Sequence, residues 1–353
     1  MIEDGILRSF RGRNALVTGG TGMVGRQIVE LLCEAGACVR TASLDRLQAH
    51  PRAEHLYGDL TDFAFCREAT RDAEFVFHVA GIKGSVEVTT KQPASFFVPL
   101  LLMNTNVLEA CRVNRVGKVV YTSSIGAYPS REIFREAEAW EGAPMDTFPG
   151  WAKRMGELQI QAYQIQYGIE TFAVVRLTNV YGPGDNFDPK SAMVIPALMA
   201  RVASGEDPLV VWGDGSAVRD FAYSRDIAEG VILALHHGTG GRVVNLGSGR
   251  GVSVRELVEA LSTVVPFRYE FDATKPAGFP TRVMDVEVAR ATLGYDPGTS
   301  LRDGLAETWR WYLENRAEHA SKRNYFQDDD AALAARPDAV AIAKQPLVRG
   351  EVA

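Results

Sequence analysis

A glycine-rich turn near the N-terminus constrains the fold of this chain more than any other feature. Residues 18–25 read Thr-Gly-Gly-Thr-Gly-Met-Val-Gly and directly follow the apolar run Asn14–Val17. A helical spacing of apolar residues then extends from about Met23 to Ala35. Glycines between a strand and a helix let the chain turn tightly and let a pyrophosphate approach the helix N-terminus. The turn therefore predicts a dinucleotide site with contacts from Gly19, Thr21, Gly22, Met23, Val24 and Gly25.

Strand-like and helix-like segments alternate after this turn. The predicted strands are Cys38–Thr41, His55–Tyr57, Phe75–Val79, Lys118–Thr122 and Thr171–Leu177, and long helices are predicted at about 95–113 and 151–167. Such alternation implies a parallel sheet with helices on both faces. We predict an α/β chain with a doubly wound Rossmann domain over 1–180, a smaller mixed α/β substrate domain over 181–315, and a disordered or loosely packed tail over 316–353. The chain is free to cross back between the first two.

Charge and cysteine usage exclude several classes of protein. The net charge is −6 and no basic block is present, which argues against a nucleic-acid partner. The four cysteines form no CxxC pair, so neither a disulfide framework nor a metal site is predicted. No apolar run reaches ~18 residues, and the first residues lack the apolar core of a secretory signal. We expect a cytoplasmic protein that neither binds a metal nor enters a membrane.

The second predicted strand leaves the choice between NAD and NADP open. An acidic residue at its end would accept a hydrogen bond from the ribose 2′-hydroxyl of NAD. Ser43 stands at that place, and Asp45 lies just beyond it. Arg40 and Arg46 are alternatives that could meet the 2′-phosphate of NADP, and we assign Arg46 as a cofactor contact.

Further motifs extend over about residues 13–315. The first half contains YGDLTD (57–62), FHVAG (77–81), YTSS (121–124) and WAKRMGE (151–157). The second half contains NVYGPGDNFDP (179–189), VIPAL (194–198), VVWGDGSAVRDF (210–221), VNLGSG (244–249) and FDATKPAGFPTRVMDV (271–286). Together with the turn, these motifs resemble the extended short-chain dehydrogenases, which are nucleotide-sugar epimerases and dehydratases. The second half is most similar to the GDP-L-fucose synthase branch.

The resemblance implies roles for residues at matching positions. Ser124 matches the residue that bonds the sugar hydroxyl being oxidised, and Lys153 matches the lysine that holds the nicotinamide ribose. The remaining implied cofactor contacts are Asp59, Leu60, Ala80, Gly81 and Thr122. The implied substrate contacts are Asn179, Val194, Arg219 and Lys275, with Arg219 as the diphosphate clamp. The family also implies a homodimer built from the helices at about 95–113 and 151–167.

Several departures from the family pattern concern proton transfer. The family tyrosine belongs four residues before Lys153, where this chain has Pro149. The cysteine that fucose synthases carry behind the serine pair is missing, and Met193 replaces their histidine. These changes argue against a double epimerisation. Ile125 and Gly126 replace the acidic pair of the 4,6-dehydratases, which argues against that branch too.

Oxidation of an alcohol still requires a base for the hydroxyl proton. Tyr128, a water held by Ser124 and Lys153, and Tyr181 are the alternatives, and we assign Tyr128. We predict an NAD(P)-dependent nucleotide-sugar epimerase or oxidoreductase that acts on a GDP- or UDP-hexose through a 4-keto intermediate. The alternative is a catalytically weakened nucleotide-sugar or dinucleotide sensor on the same fold. Pro149 favours the sensor, whereas retention of Ser124 and Lys153 favours catalysis.

Overall fold

The computed structural model of the chain describes residues 2–82, 84, 89, 91–188, 191–275 and 278–321. The strands are β1 (Asn14–Thr18), β2 (Cys38–Ser43), β3 (Glu54–Tyr57), β4 (Phe75–His78), β5 (Lys118–Ser124), β6 (Ile133–Phe134), β7 (Phe172–Leu177), β8 (Asn179–Tyr181), β9 (Leu209–Trp212), β10 (Val218–Tyr223), β11 (Val243–Leu246), β12 (Gly251–Ser253), β13 (Tyr269–Asp272) and β14 (Thr281–Met284). The helices are α1 (Asp4–Arg8), α2 (Met23–Glu34), α3 (Phe63–Ala69), α4 (Pro93–Val113), α5 (Thr147–Tyr167), α6 (Val194–Ala203), α7 (Ser224–His237), α8 (Val254–Val264), α9 (Glu287–Leu293), α10 (Leu301–Glu314) and α11 (Arg316–Ser321).

Seven parallel strands form the main sheet in the order β11-β7-β5-β4-β1-β2-β3. The predicted doubly wound Rossmann sheet is thereby confirmed. The strand order reverses between β1 and β4. In sheets of this kind, a crevice for ligands opens beyond the carboxyl ends of the strands at the reversal. The topology therefore brings the glycine-rich turn after β1 next to the segments that follow β4 and β5.

Helices cover both faces of this sheet because its strands are apolar on both sides. On one face, Ile28 of α2 and Val231 of α7 share a buried cluster with Val17. On the other face, Leu108 of α4 and Ile160 of α5 pack in a second cluster. Burial on both faces explains why the inner strands β1, β4 and β7 are mostly apolar.

A smaller region lies over the carboxyl end of the main sheet. It contains the sheet β12-β10-β14-β6, with β8 paired to β10, and the separate pair β13-β9. Helix α8 begins with a capping box, in which Ser253 and Glu256 satisfy each other's backbone amides. Strand β11 and helix α7 fall within 181–315 but pack in the main sheet and its covering layer, so the chain crosses back.

The start of the tail is helical, whereas the sequence predicted a disordered or loosely packed segment. Residues Arg316–Ser321 form helix α11, while 322–353 lie outside the described residues. An Arg26 Nη2 hydrogen donates to Glu318 Oε1 at 2.5 Å, and Arg26 Nη2 also donates to the Thr21 carbonyl at 3.2 Å. The start of the tail therefore packs against the glycine-rich turn.

Helix α4 is both long and apolar. By length and composition it could cross a membrane, contrary to the expectation that no segment would pass such a test. However, it contributes the buried side chains Phe96, Leu100, Met103, Val107, Leu108 and Cys111 to the core beside the main sheet. Its apolar character is thus explained in large part by packing against the sheet and α5.

Candidate active site

A cavity of about 910 Å³ opens where the strand order of the main sheet reverses. The glycine-rich turn forms one end, and the segment after β5 and the start of α5 form the middle. The smaller region closes the other end with residues of β8, α6 and β14. The cavity therefore lies between the two parts of the fold.

Close backbone packing explains the glycines of the turn. Gly19 has a φ of +67°, and a Cβ there would lie 2.8 Å from the Ala80 Cα. A Cβ on Gly25 would lie 2.2 Å from the Gly19 carbonyl oxygen. Gly22 precedes the first residue of α2, so the free amides of the helix start face the cavity here. The turn is thus a backbone cradle of the kind that fits a pyrophosphate.

Most of the predicted cofactor contacts line the cavity. They are Gly19, Gly22, Met23, Val24, Gly25, Gly81, Thr122 and Lys153. Two other predicted contacts, Thr21 and Ala80, form hydrogen bonds within the protein and do not line the cavity. The Thr21 hydroxyl donates to Asp45 Oδ2 at 3.1 Å, and the Ala80 amide donates to the Thr18 hydroxyl at 3.2 Å. These two residues therefore shape the cradle without lining the cavity.

The predicted contacts Asp59 and Leu60 also lie outside the cavity wall. The Asp59 carboxylate accepts a hydrogen bond from the Thr61 amide at 2.8 Å, whereas Leu60 is buried in the core. Their place on the adenine side remains a prediction from the family pattern.

The structure reduces the number of residues near the end of β2 that could contact the cofactor's ribose. Arg40 points away, because its Nε donates to Glu54 at 2.8 Å and its Nη1 donates to the Arg71 carbonyl at 3.0 Å. The alternative of a 2′-phosphate on Arg40 is therefore wrong. Asp45 lines the cavity, whereas Arg46 is exposed outside it. A role for Arg46 stays a prediction.

Ser124 and Lys153 both line the cavity, as predicted for a catalytic pair. The Ser124 hydroxyl oxygen accepts a hydrogen bond from the Gly126 amide at 3.1 Å. Its own proton stays available for a ligand, since a hydroxyl can accept and donate at once. Lys153 Nζ donates to the Thr122 carbonyl at 2.7 Å, and burial lowers the pKa of this lysine to about 8.

Tyr128 is misassigned as the base. Its side chain is fully buried away from the cavity, and its hydroxyl donates to Asn245 Oδ1 at 2.8 Å. The Arg176 guanidinium lies 4.2 Å from the ring centroid. Burial raises the pKa of Tyr128 above its ordinary value. The sequence spacing from Ser124 concealed this, because the turn at Ile125–Ala127 carries the chain into the core.

Tyr181 lines the cavity but is a poor alternative, because its side chain is buried and its hydroxyl packs against another helix. Its hydroxyl points to helix α10, where it lies 3.4 Å from the Leu301 carbonyl oxygen. A Cβ on Gly304 would lie 2.3 Å from that hydroxyl, so the helix packs closely over it. Burial raises the pKa of Tyr181 as well. Pro149 also lines the cavity, at the family tyrosine's position.

The predicted substrate contacts divide into two pairs. Asn179 and Val194 line the cavity, and Asn179 Nδ2 donates to the Asp220 carbonyl at 3.1 Å. Arg219 and Lys275 do not line it. Arg219 Nη1 donates to the Phe279 carbonyl at 2.7 Å, and the exposed Lys275 lies 5.9 Å from the Trp212 ring centroid.

Comparison with known proteins identifies the family. Residues 15–247 match the model of the NAD dependent epimerase/dehydratase family. The chain belongs to this family. It is 33% identical over 320 residues to GDP-L-fucose synthase 1 of Arabidopsis thaliana, a match that covers 87% of this chain and 95% of that relative. The resemblance predicted from the motifs is confirmed.

Two solved structures share most of the fold of this chain. The epimerase Mth375 of Methanothermobacter thermautotrophicus superposes with a TM-score of 0.80 and 26% identity, covering 90% of this chain and 97% of its own. The Bordetella bronchiseptica enzyme WbmF, in complex with NAD+ and UDP, gives a TM-score of 0.73 and 25% identity over 93% of this chain and 99% of its own.

The sequence did not predict two of the residues that line the cavity of this epimerase/dehydratase chain. Arg282 lines the cavity and is the register partner of Arg219 in the parallel pair β10 and β14. Burial, and then the charge of Arg282, lower the pKa of Arg219. Asp146 lines the cavity just before α5. The motif at 271–286 contains Arg282, so pairing the strands would have found it.

Proposed function

We propose that this chain is an NAD(P)-dependent enzyme that epimerises or oxidises a nucleotide-diphosphate hexose through a 4-keto intermediate. One observation carries the proposal. A single cavity joins the glycine cradle, the Ser124–Lys153 pair and the Arg282 guanidinium. The relatives are named as nucleotide-sugar enzymes, which does not favour the sensor alternative.

The residues present fit a dinucleotide. The backbone of Gly22 and Met23 at the start of α2 would hold the pyrophosphate, and Lys153 would hold the nicotinamide ribose. When bound, the nicotinamide supplies the capacity to take up and return a hydride. Asp45 faces the cavity near the cradle, where a ribose hydroxyl would be its partner. The choice between NAD and NADP stays open.

The substrate would lie across the middle of the cavity. Ser124 would donate its proton to the sugar oxygen at the reacting carbon, and the Lys153 ammonium would favour negative charge there. Arg282 lines the far end of the cavity, and Arg219 lies beside it on β10, behind the cavity wall. A diphosphate would neutralise both, since a guanidinium fork fits phosphate oxygens in pairs. Lys275 has no place in this arrangement.

The test is turnover of nucleotide hexoses by the purified protein. GDP- and UDP-hexoses are incubated with NAD+ or NADP+, and the sugar is followed by NMR while the nicotinamide absorbance is recorded. An epimerase changes the sugar without net cofactor reduction, whereas an oxidoreductase accumulates reduced cofactor. Ser124→Ala and Lys153→Met should abolish either signal. Binding of both ligands without any conversion would contradict the enzyme and support the sensor.

We also propose a homodimer, in which α4 and α5 pack against the same helices of a second copy. Exposed apolar side chains on these helices support it, namely Val98, Leu102, Leu158 and Ile165. A cytoplasmic location remains a prediction from the sequence.

A further inference from the structure

Proline at the family tyrosine's position leaves the substrate's hydroxyl proton without its usual acceptor. We propose that Asp146 is the general acid–base residue of this site. The assignment rests on the proposed function, because it concerns the proton that the alcohol must lose. Three features of Asp146 support this role: its position at the start of α5, its contact with the segment after β5, and its surroundings.

Asp146 lies on the cavity face of α5, one turn before Pro149. Its carbonyl accepts the Gly150 amide at 2.6 Å, which is the first hydrogen bond of the helix. Side chains three and four residues apart share a helix face. Asp146, Pro149 and Lys153 follow this spacing, and all three line the cavity. The carboxylate is thus displaced by one helical turn from the residue where the family places its acid–base group.

The carboxylate also lies close to Ser124. Asp146 Oδ2 is 2.3 Å from the point that a Cβ on Gly126 would occupy. The amide of the same Gly126 donates to the Ser124 hydroxyl oxygen at 3.1 Å, and its carbonyl accepts the Asp146 amide at 3.2 Å. Any side chain at position 126 would displace the carboxylate. The glycine therefore leaves room for the Asp146 carboxylate beside the turn that holds Ser124.

The surroundings of Asp146 suit a proton acceptor. Its side chain does not cap its own helix. Burial raises the pKa of the Asp146 carboxyl, and the facing charge of Arg282 on β14 partly opposes this rise. Lys153 is the charged group on its own helix that faces the same cavity. A carboxylate that is poorly solvated holds a proton more readily, which brings an acid–base residue closer to neutral pH.

Other ionisable groups of the cavity wall have different partners. Asp45 accepts from Thr21 at the cradle, Asp185 accepts from the Asn186 amide at 2.8 Å, and Asp188 accepts from Ser191 beyond β8. The Lys153 ammonium donates to the Thr122 carbonyl. Within the described ranges, Asp146 is the cavity carboxylate adjacent to Ser124.

Oxidation of the sugar alcohol requires a two-electron acceptor, which the dinucleotide would supply. The O–H bond of the sugar alcohol breaks, and its proton forms a new bond to an Asp146 carboxylate oxygen. A bound nicotinamide would supply the acceptor for the hydride, which takes the electron pair of the C–H bond, and the alcohol would become a ketone. In the reverse direction the same carboxylic acid returns its proton to the carbonyl oxygen.

The experiment compares Asp146→Asn with Glu141→Gln, an exposed carboxylate on the preceding loop outside the cavity. We expect Asp146→Asn to lower kcat ~10²–10⁴-fold, the usual effect of losing an acid–base group. Dissociation constants for the dinucleotide and the nucleotide hexose, measured by calorimetry, should not change. Wild-type kcat should rise with pH through the carboxyl titration, and this limb should vanish in Asp146→Asn. Asp146→Glu should retain part of the wild-type activity. The control Glu141→Gln should retain all of it.

A second measurement does not depend on turnover. The raised pKa means that the folded state binds the Asp146 proton more tightly than the unfolded state does. Stability therefore falls as pH rises through the folded-state pKa, and the neutral amide removes this loss. We expect a higher melting temperature for Asp146→Asn than for wild type at neutral pH. Wild-type kcat in a folded Asp146→Asn would overturn the assignment of Asp146 alone. Absence of turnover in the wild type itself would overturn the proposed function together with it.

Discussion

Gly22 and Gly25 lie one helical turn apart in the cradle, yet an added side chain would meet different surroundings at each. A Cβ on Gly22 meets only the Gly19 carbonyl oxygen, at 3.2 Å, whereas a Cβ on Gly25 would lie 2.2 Å from that same atom. We predict that Gly22→Val folds but loses dinucleotide binding, because the branched side chain fills the phosphate's approach. Gly25→Ala should lose both folding stability and binding.

Thermal melting and NAD(P) titration separate these two outcomes. Gly5→Ala is the control, because a Cβ there meets nothing within 4 Å. It should keep binding and gain up to about 1 kcal/mol in the free energy of unfolding, as alanine favours a helix over glycine. Unchanged NAD(P) affinity in Gly22→Val would contradict the phosphate site.

His78 should make the fold sensitive to acid. It is buried, its Nδ1 lies 2.8 Å from the Thr18 hydroxyl oxygen, and its Nε2 lies 3.1 Å from Asn104 Oδ1. Burial, and then the charge of Lys153, lower the pKa of His78 to about 3. The unfolded chain then binds a proton near pH 6.5 that the folded state rejects, so stability falls as pH drops below that value.

The expected loss from His78 is roughly 3 kcal/mol between about pH 7 and pH 4. His78→Gln should flatten this dependence in denaturant titrations at each pH, whereas substitution of the exposed His237 by Gln should leave it unchanged. Equal acid sensitivity of His78→Gln and wild type would show that other groups cause it.

At the scale of elements, a buried ion pair attaches α5 to β7. Glu157 accepts two hydrogen bonds from Arg176, at 2.8 and 2.7 Å, and both side chains are at most 2% exposed. Removing one partner of such a pair leaves a buried charge without its counter-ion, at a cost of about 3–5 kcal/mol. We predict that loss for Glu157→Gln in urea unfolding.

The surface pair Arg290–Glu287, whose side chains are 42% and 74% exposed, provides the control. Glu287→Gln should cost at most about 1 kcal/mol, since water and salt already screen that pair. The double variant Glu157→Leu with Arg176→Met should recover part of the loss. Similar losses for Glu157→Gln and Glu287→Gln would show that the buried pair does not hold the helix.

The start of α5 shows why element boundaries were harder to predict than the elements themselves. The sequence predicted a helix from about Trp151. The helix begins at Thr147 instead. Proline is tolerated in a first turn, where the backbone amides have no partner within the helix. This one-turn extension brings Asp146 and Pro149 to the cavity wall.

At the scale of the whole molecule, α4 and α5 expose more apolar surface than a monomer needs. Val98 and Leu102 are four residues apart on α4, and Leu158 and Ile165 are seven apart on α5, so each pair forms a stripe. Ile165 is 81% exposed. We predict a dimer mass by light scattering at micromolar concentration, and a monomer mass for Leu102→Lys with Ile165→Lys.

The control for the dimer is Leu313→Lys, which changes an exposed apolar residue on α10. It should keep the dimer mass, because it lies on another surface. A monomer mass for the wild type would contradict the proposed assembly, and loss of the dimer in Leu313→Lys would show that general aggregation explains the mass.

The sequence by itself determined the parallel sheet and the glycine cradle. These depend on local order: a strand, a turn and a helix in succession, and motifs within one segment. Only the tertiary structure decided the acid–base candidate and the cationic end of the cavity. Tyr128 is near Ser124 in sequence but turns into the core, whereas Asp146 and Arg282 approach the cavity from segments far from Ser124 along the chain. Such meetings depend on how helices and strands pack, which the spacing of residues along the chain does not specify.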